Sequence, residues 1–98
     1  MTQVIVKSQN ASRASQVRPL IQAGLDHEVR LLKIGLQKTT RHLQQFEQRF
    51  GMASQDFYRD YKTGKLGDEM EYMKWAGEYE TLLQLQEDYA DIQEIQVC

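Results

Sequence analysis

Cysteine, proline and long hydrophobic runs are all scarce in this sequence of 98 residues. Its single cysteine is Cys98, so no intramolecular disulfide can form and no site with several cysteine ligands can hold a metal ion. No apolar run approaches the roughly 20 residues that a membrane-spanning helix needs. Residues 1–7 are too short and too polar for a secretory signal. We therefore expect a cytoplasmic protein that makes no membrane contact.

Motifs of catalysis and cofactor binding are also missing. His27 and His42 stand fifteen residues apart, and neither belongs to an HExxH zinc motif. The serines lack the context of a nucleophile elbow, and the glycines form neither a P-loop nor a dinucleotide-binding fingerprint. We expect no enzymatic activity, no cofactor and no bound metal.

The abundant pattern is helical. Apolar residues recur at steps of three and four through two long stretches, which predicts two amphipathic helices packed by heptad seams. The first seam is Leu25, Val29, Leu32, Leu36, Thr39, Leu43, Phe46 and Phe50. The second seam is Tyr72, Trp75, Tyr79, Leu82, Gln86, Tyr89 and Ile92. Ser54 is a candidate cap for a short helix between them, so we predict an all-α fold, a long helical hairpin of two antiparallel helices joined by a short helix.

The N-terminal part differs from the rest. Residues 2–7 are rich in β-branched residues, Val4 and Val6 among them, as a short β-strand is. We divide the chain into an N-terminal arm or strand, 1–15, and a helical hairpin domain, 16–98, whose first helix is expected to begin near Gln16. Gly24, followed closely by the capping residue Asp26, leaves open a break of this helix into two.

Two long helices alone give a marginal core for a chain of this size. Leu31 and Ile34 lie beside the first seam and widen its apolar face, which indicates packing against more than one helix. A homodimer in the form of a four-helix bundle would supply the missing partners. Gly35 has no helix cap beside it and predicts a close approach between helices.

Charge is distributed unevenly along the chain. Residues 1–50 carry eight Lys or Arg against three acids, whereas residues 51–98 carry four against eleven. The predicted outer face of the last helix has almost no compensating lysine and consists of Glu78, Glu80, Glu87, Asp88, Asp91 and Glu94. Either the two halves neutralise each other across the hairpin, or the basic half meets phosphate and the acidic half a basic partner.

Aromatic residues are concentrated around the predicted hairpin turn, where eight of the nine lie between Phe46 and Tyr79. Such a cluster can be the core where the short helix closes the hairpin. It can also be an exposed protein-binding surface, since Tyr and Trp anchor many interfaces. The two interpretations are compatible if different residues fill the two roles.

The turn region also resembles a known group of proteins. The run FEQRFGMASQDFYRDYKTGKLGDEMEYMKWAGEYETL, which begins at Phe46, combines an aromatic hinge, a G-x-L-G-D turn and an E-Y-x-x-W-A-x-x-Y-E helix. It resembles small helical prokaryotic proteins that are encoded beside toxin genes and are treated as antitoxins. The resemblance implies a protein that binds and neutralises a toxin, often an RNA-cleaving enzyme with a basic active site.

On this hypothesis the acidic, aromatic C-terminal helix contacts the toxin. Aromatic side chains would anchor the complex, and carboxylates would complement the basic surface of the partner. From the character of the side chains we predict six contacts: Tyr72, Trp75, Tyr79, Glu71, Glu78 and Asp88.

Two other functions stay open. A strand followed by helix, Gly24 and helix is the order of a ribbon-helix-helix dimer, in which paired strands enter the major groove of DNA. In such an autoregulator, Lys7, Arg13 and Arg18 would contact the nucleic acid. Alternatively, the chain is a structural coiled-coil adaptor.

Overall fold

The computed structural model describes residues 11–95 of the chain, with side chains from residue 15 onward. These residues form three helices: α1 (Ala11–Phe50), α2 (Ser54–Lys62) and α3 (Met70–Ile95). The two long helices, α1 and α3, pack against each other, and the short α2 connects them. The predicted all-α helical hairpin is therefore confirmed. Between residues 11 and 95, none of the helices carries an apolar stretch that could span a bilayer.

The first helix is continuous from Ala11 to Phe50, although Pro19 and Gly24 both lie inside it. The break that the sequence left open at Gly24 does not occur. Glycine lowers helix stability by about 1 kcal/mol relative to alanine, but an established helix propagates through one such residue. The helix also begins five residues before Gln16, and the predicted strand at 2–7 lies outside the described residues.

The two long helices run antiparallel in a regular register. Three pairs mark it at intervals of seven residues on each helix: Arg49–Glu71, His42–Glu78 and Gly35–Leu85. Seven residues make about two helical turns, so the pairs line one edge of the hairpin, which we call the register edge. A Cβ on Gly35 would lie 3.3 Å from Leu85, which confirms the predicted close approach at this glycine.

The same register explains the elongated shape. Continued along both helices, it puts Ile95 level with Leu25, so the part of α1 before Leu25 lies beyond the last described turn of α3. The longest dimension of the structure is 62 Å. A helix with the 40 residues of α1 spans about 60 Å by itself. The length of α1 therefore sets the length of the molecule.

The predicted seams face each other across the hairpin. Along α1, Leu32, Thr39 and Leu43 are buried, and the other seam residues are half-buried. Along α3, Trp75 is buried, and the other seam residues except Gln86 are half-buried. The spacing of three and four therefore identified the packed faces correctly. At the closed end the buried side chains form a cluster that we call the hinge core: Leu43, Phe57, Trp75 and Ala76.

Glycines end α1 and bracket the loop before α3. Gly51, Gly64 and Gly67 have φ angles of 66°, 80° and 84°, a region that L-residues with a Cβ rarely adopt. The N–H of Gly51 donates to the carbonyl of Glu47 over 2.8 Å and closes the last turn of α1. The chain direction at both ends of α2 thus depends on glycine.

The interior of α3 allows a test of this backbone. Gly77 is exposed within α3, and a Cβ built there meets no atom within 4 Å. Gly77→Ala should therefore raise the free energy of unfolding by about 1 kcal/mol, the difference in helix propensity. Gly51→Ala should lower it by about 1–2 kcal/mol, because alanine is strained at positive φ. Urea unfolding measures both, and changes of the same sign would contradict the described backbone.

Candidate interaction surfaces

A hydrogen-bonded chain of three residues joins the three helices at the hinge. The indole Nε1–H of Trp75 in α3 donates to the hydroxyl of Ser54 in α2 over 2.9 Å. The backbone N–H of Ser54 donates to a carboxylate oxygen of Glu47 in α1 over 2.8 Å. The prediction that Ser54 caps α2 is wrong, because Ala53 occupies the cap position and the Ser54 hydroxyl faces Trp75.

Trp75 is the centre of an aromatic stack. Its ring lies parallel to that of Phe57 at a centroid distance of 3.8 Å, and Phe46 and Phe50 stack on it at 5.6 and 5.5 Å. The residue is 1% exposed. Trp75 therefore belongs to the core, and in this conformation it is not accessible as the partner anchor that the sequence predicted.

The other two predicted anchors, Tyr72 and Tyr79, are half-buried beside this stack. Tyr72 meets Phe50 edge-on, with ring centroids 5.5 Å apart. Tyr79 packs against Tyr58 with centroids 4.9 Å apart. The aromatic cluster thus forms the core at the closed end of the hairpin, as one of the two sequence interpretations predicted.

Two of the predicted partner carboxylates contact α1 instead of pointing away from it. A carboxylate oxygen of Glu71 lies 2.9 Å from Nη1 of Arg49. A carboxylate oxygen of Glu78 lies 3.0 Å from Nδ1 of His42, so the placement of Glu78 on the outer face is wrong. At the hinge end, the acidic half of the chain therefore contacts the basic half, as the neutralisation hypothesis predicted.

The outer side of α3 carries a row of carboxylates. Positions 73, 77, 80, 84, 87, 91 and 94 recur at steps of four and three, and all of them are exposed. We call the four acids of this row the acidic face: Glu80, Glu87, Asp91 and Glu94. Glu80 accepts a hydrogen bond from the hydroxyl of Tyr58 over 2.8 Å. Asp88, a predicted contact, is half-buried beside the row and accepts from Gln84 over 3.0 Å.

The basic side chains of α1 are exposed along the helix. Four of them lie between residues 30 and 41: Arg30, Lys33, Lys38 and Arg41. Arg18 is also exposed, whereas Lys7 and the side chain of Arg13 lie outside the described part of the chain. Because α1 is unbroken at Gly24, the helix–turn–helix order that a ribbon-helix-helix domain requires is not present in residues 11–50.

The concavities on the described surface are open to solvent. One groove between α1 and α3 is lined by His42, Phe46, Lys74 and Glu78, and another concavity lies along α1 alone. Among the side chains that the structure describes, no three His, Cys, Asp or Glu residues are grouped so that they could hold a metal ion. A scan against protein-family models finds no match, and searches of curated proteins and of solved structures find none either.

The hydrogen bond between Trp75 and Ser54 can be tested by a double-mutant cycle. Ser54→Ala leaves a buried indole N–H without an acceptor and should lower the free energy of unfolding by about 1–3 kcal/mol. In a Trp75→Phe background, where no N–H needs an acceptor, the same substitution should cost clearly less. Urea unfolding of the four proteins gives the coupling, and strictly additive effects would show that the hydrogen bond contributes nothing.

The hydrogen bond from Tyr58 to Glu80 predicts a pH dependence. This bond, with burial and the negative charge of Glu80, raises the pKa of the Tyr58 hydroxyl above its ordinary value of 10.0. The resulting stabilisation is complete below pH 10.0 and is lost as the pH rises through the higher, folded pKa. Ultraviolet titration of tyrosinate should show a lower Tyr58 pKa in Glu80→Gln, with Tyr58→Phe identifying the signal. An unchanged titration would contradict the assigned cause.

Proposed function

We propose that this chain is a non-catalytic protein-binding module that presents the acidic face of α3 to a basic protein, and that the partner is a toxin encoded nearby. The observation that carries the proposal is the row of exposed carboxylates on one helix. A concentration of one charge sign on a single face accelerates association with a surface of the opposite sign. The net charge of the whole chain, −2, does not reveal this concentration.

Most of these carboxylates are available for a partner. In the part of the chain with described side chains, no ion pair involves Glu87, Asp91 or Glu94. Lys74 is the one Lys or Arg residue in the sequence of α3, so the helix does not neutralise its own outer face. A cation of the partner would therefore displace water from Glu87 and Glu94, and not an existing salt bridge.

Apolar side chains beside the acidic face provide contact area. Met73 is 53% exposed and Leu83 is 43% exposed. Interfaces typically combine a few apolar anchors with polar and charged residues around them. The hinge core holds α3 against α1 and α2, so the face is formed before a partner arrives and little ordering accompanies binding.

The toxin assignment is supported by the resemblance of the run from Phe46 to antitoxin-like proteins. An RNA-cleaving toxin holds phosphate groups with basic side chains. Carboxylates spaced along a helix can occupy the same subsites and complete the same charge-assisted hydrogen bonds. Binding through the acidic face would then exclude RNA, so association and neutralisation would be a single event.

Two alternatives from the sequence stay predictions. The first alternative is DNA binding through Lys7, Arg13 and Arg18. Of these, Arg18 has an exposed side chain, whereas the side chains of the other two lie outside the described part of the chain. A coiled-coil adaptor would use the same long helices and would not require the acidic face. Neither alternative accounts for the row of carboxylates on the outer side of α3.

Neutralising two carboxylates tests the proposal. Glu87→Gln combined with Glu94→Gln preserves the shape of both side chains and removes two charges from the acidic face. The rate of association with the product of the adjacent gene should fall about tenfold or more at low salt, and the salt dependence should weaken. The co-expressed variant should also fail to restore growth of cells that produce the toxin.

The matched control makes the same chemical change elsewhere. Glu28→Gln combined with Glu69→Gln alters two exposed glutamates outside the acidic face and should bind as the unaltered chain does. Equal weakening in the two double variants would contradict a specific acidic face. A gene product that is harmless when expressed alone would contradict the toxin assignment, whether or not it binds.

A further inference from the structure

The half of the hairpin away from the hinge leaves apolar side chains uncovered. Leu31 is 49% exposed, Ile34 is 62% exposed and Ile95 is 52% exposed. Leu31 lies one turn before Gly35, and Ile92 lies two turns after Leu85, so both continue the register edge. Together these side chains form what we call the distal strip: Leu31, Ile34, Leu85, Ile92 and Ile95.

Packing among residues 15–95 leaves Leu31, Ile34 and Ile95 exposed and covers Leu85 and Ile92 only in part. The short helix α2 packs on the opposite edge of the hairpin. Glu78 lies on the register edge, whereas the next residue of α3, Tyr79, faces away from that edge and contacts Tyr58 of α2. Among the buried hydrophobic residues described, four belong to the hinge core and one, Leu32, to the distal half. The distal half is thus two helices with little enclosed core, although it carries a wide apolar surface.

Opposite charges border the strip on its two helices. On α1, Arg30 and Lys38 lie one turn before and one turn after Ile34, and both are exposed. On α3, Asp88 lies between Leu85 and Ile92, and Asp91 follows on its outer side. One long border of the strip is therefore basic, and the other is acidic.

We infer that the distal strip binds a second copy of this chain, with α1 of each copy packed against α3 of the other. A two-fold axis repeats this contact, so that the basic border of each copy meets the acidic border of the other. Packing α1 on α1 would bring basic borders together. The assembly is a four-helix bundle in which Leu31, Ile34 and Ile95 become core residues.

Removing the apolar character of the strip tests this assembly. Light scattering of the full chain should give twice the chain mass of 11.5 kDa. Leu31→Glu combined with Ile34→Glu should give the single mass, with the helical circular dichroism retained because both side chains are exposed in one chain. Met73→Glu alters a comparably exposed apolar residue outside the strip and should stay dimeric. A monomeric unaltered chain at all concentrations, or a dimer that survives the double substitution, would overturn the inference.

Charge reversal tests which helices meet. One chain carries Arg30→Glu and Lys38→Glu, and a second carries Asp88→Lys and Asp91→Lys. Each should be monomeric alone, since both borders then have one sign, and a mixture should form a heterodimer of twice the chain mass. If the second chain dimerises alone as the unaltered chain does, the arrangement of α1 against α3 is wrong. These measurements contain no other protein, so their outcome is independent of the proposed toxin binding.

Discussion

The burial of the Trp75 indole is the constraint on which the rest of the hairpin depends. An indole packed among Phe46, Phe50 and Phe57 contributes a large apolar area, but its N–H needs an acceptor inside the core. Ser54 supplies that acceptor, and its own backbone N–H is held by Glu47. Each of these residues belongs to a different helix, so satisfying one buried donor fixes the relative position of all three helices.

From this fixed end, the register continues along the two long helices. Because α1 and α3 repeat their seams with the same period, the alignment at the hinge determines which residues are level as far as Ile95. The register also sorts the carboxylates of α3. Those on the register edge near the hinge contact Arg49 and His42, whereas those on the outer side have no partner of this kind in residues 15–95.

Enclosed core and uncovered apolar surface are thus separated along the molecule. The hinge end has three helices around an aromatic core, and its buried polar side chains have hydrogen-bond partners among the described residues. The other end has two helices, exposed leucine and isoleucine side chains, and charges of both signs on opposite borders. The dimer proposal concerns this second part, and the acidic face extends into it from the hinge end, because uncovered apolar and charged surface is what association can still bury or pair.

Much of the fold could be predicted without coordinates, because the three–four spacing of apolar residues is a property of a single helix. The seams and the hairpin follow from it, and the close approach at Gly35 follows from a glycine inside the helix with no cap beside it. The spacing could not decide whether α1 breaks at Gly24, since the helix penalty of one glycine is small. It could not decide whether Trp75 is core or surface either, because that depends on α2 folding back over the hinge.

The division between paired and free carboxylates was likewise decided by tertiary structure. Along the chain, Glu71 and Glu78 look like Glu87 and Glu94: each is a glutamate on the same amphipathic helix. They differ because the register places the first two opposite Arg49 and His42, which are 22 and 36 residues away in the sequence. The physical reason is that periodicity describes the faces of one helix, whereas pairing depends on which residues of a second helix lie at the same level.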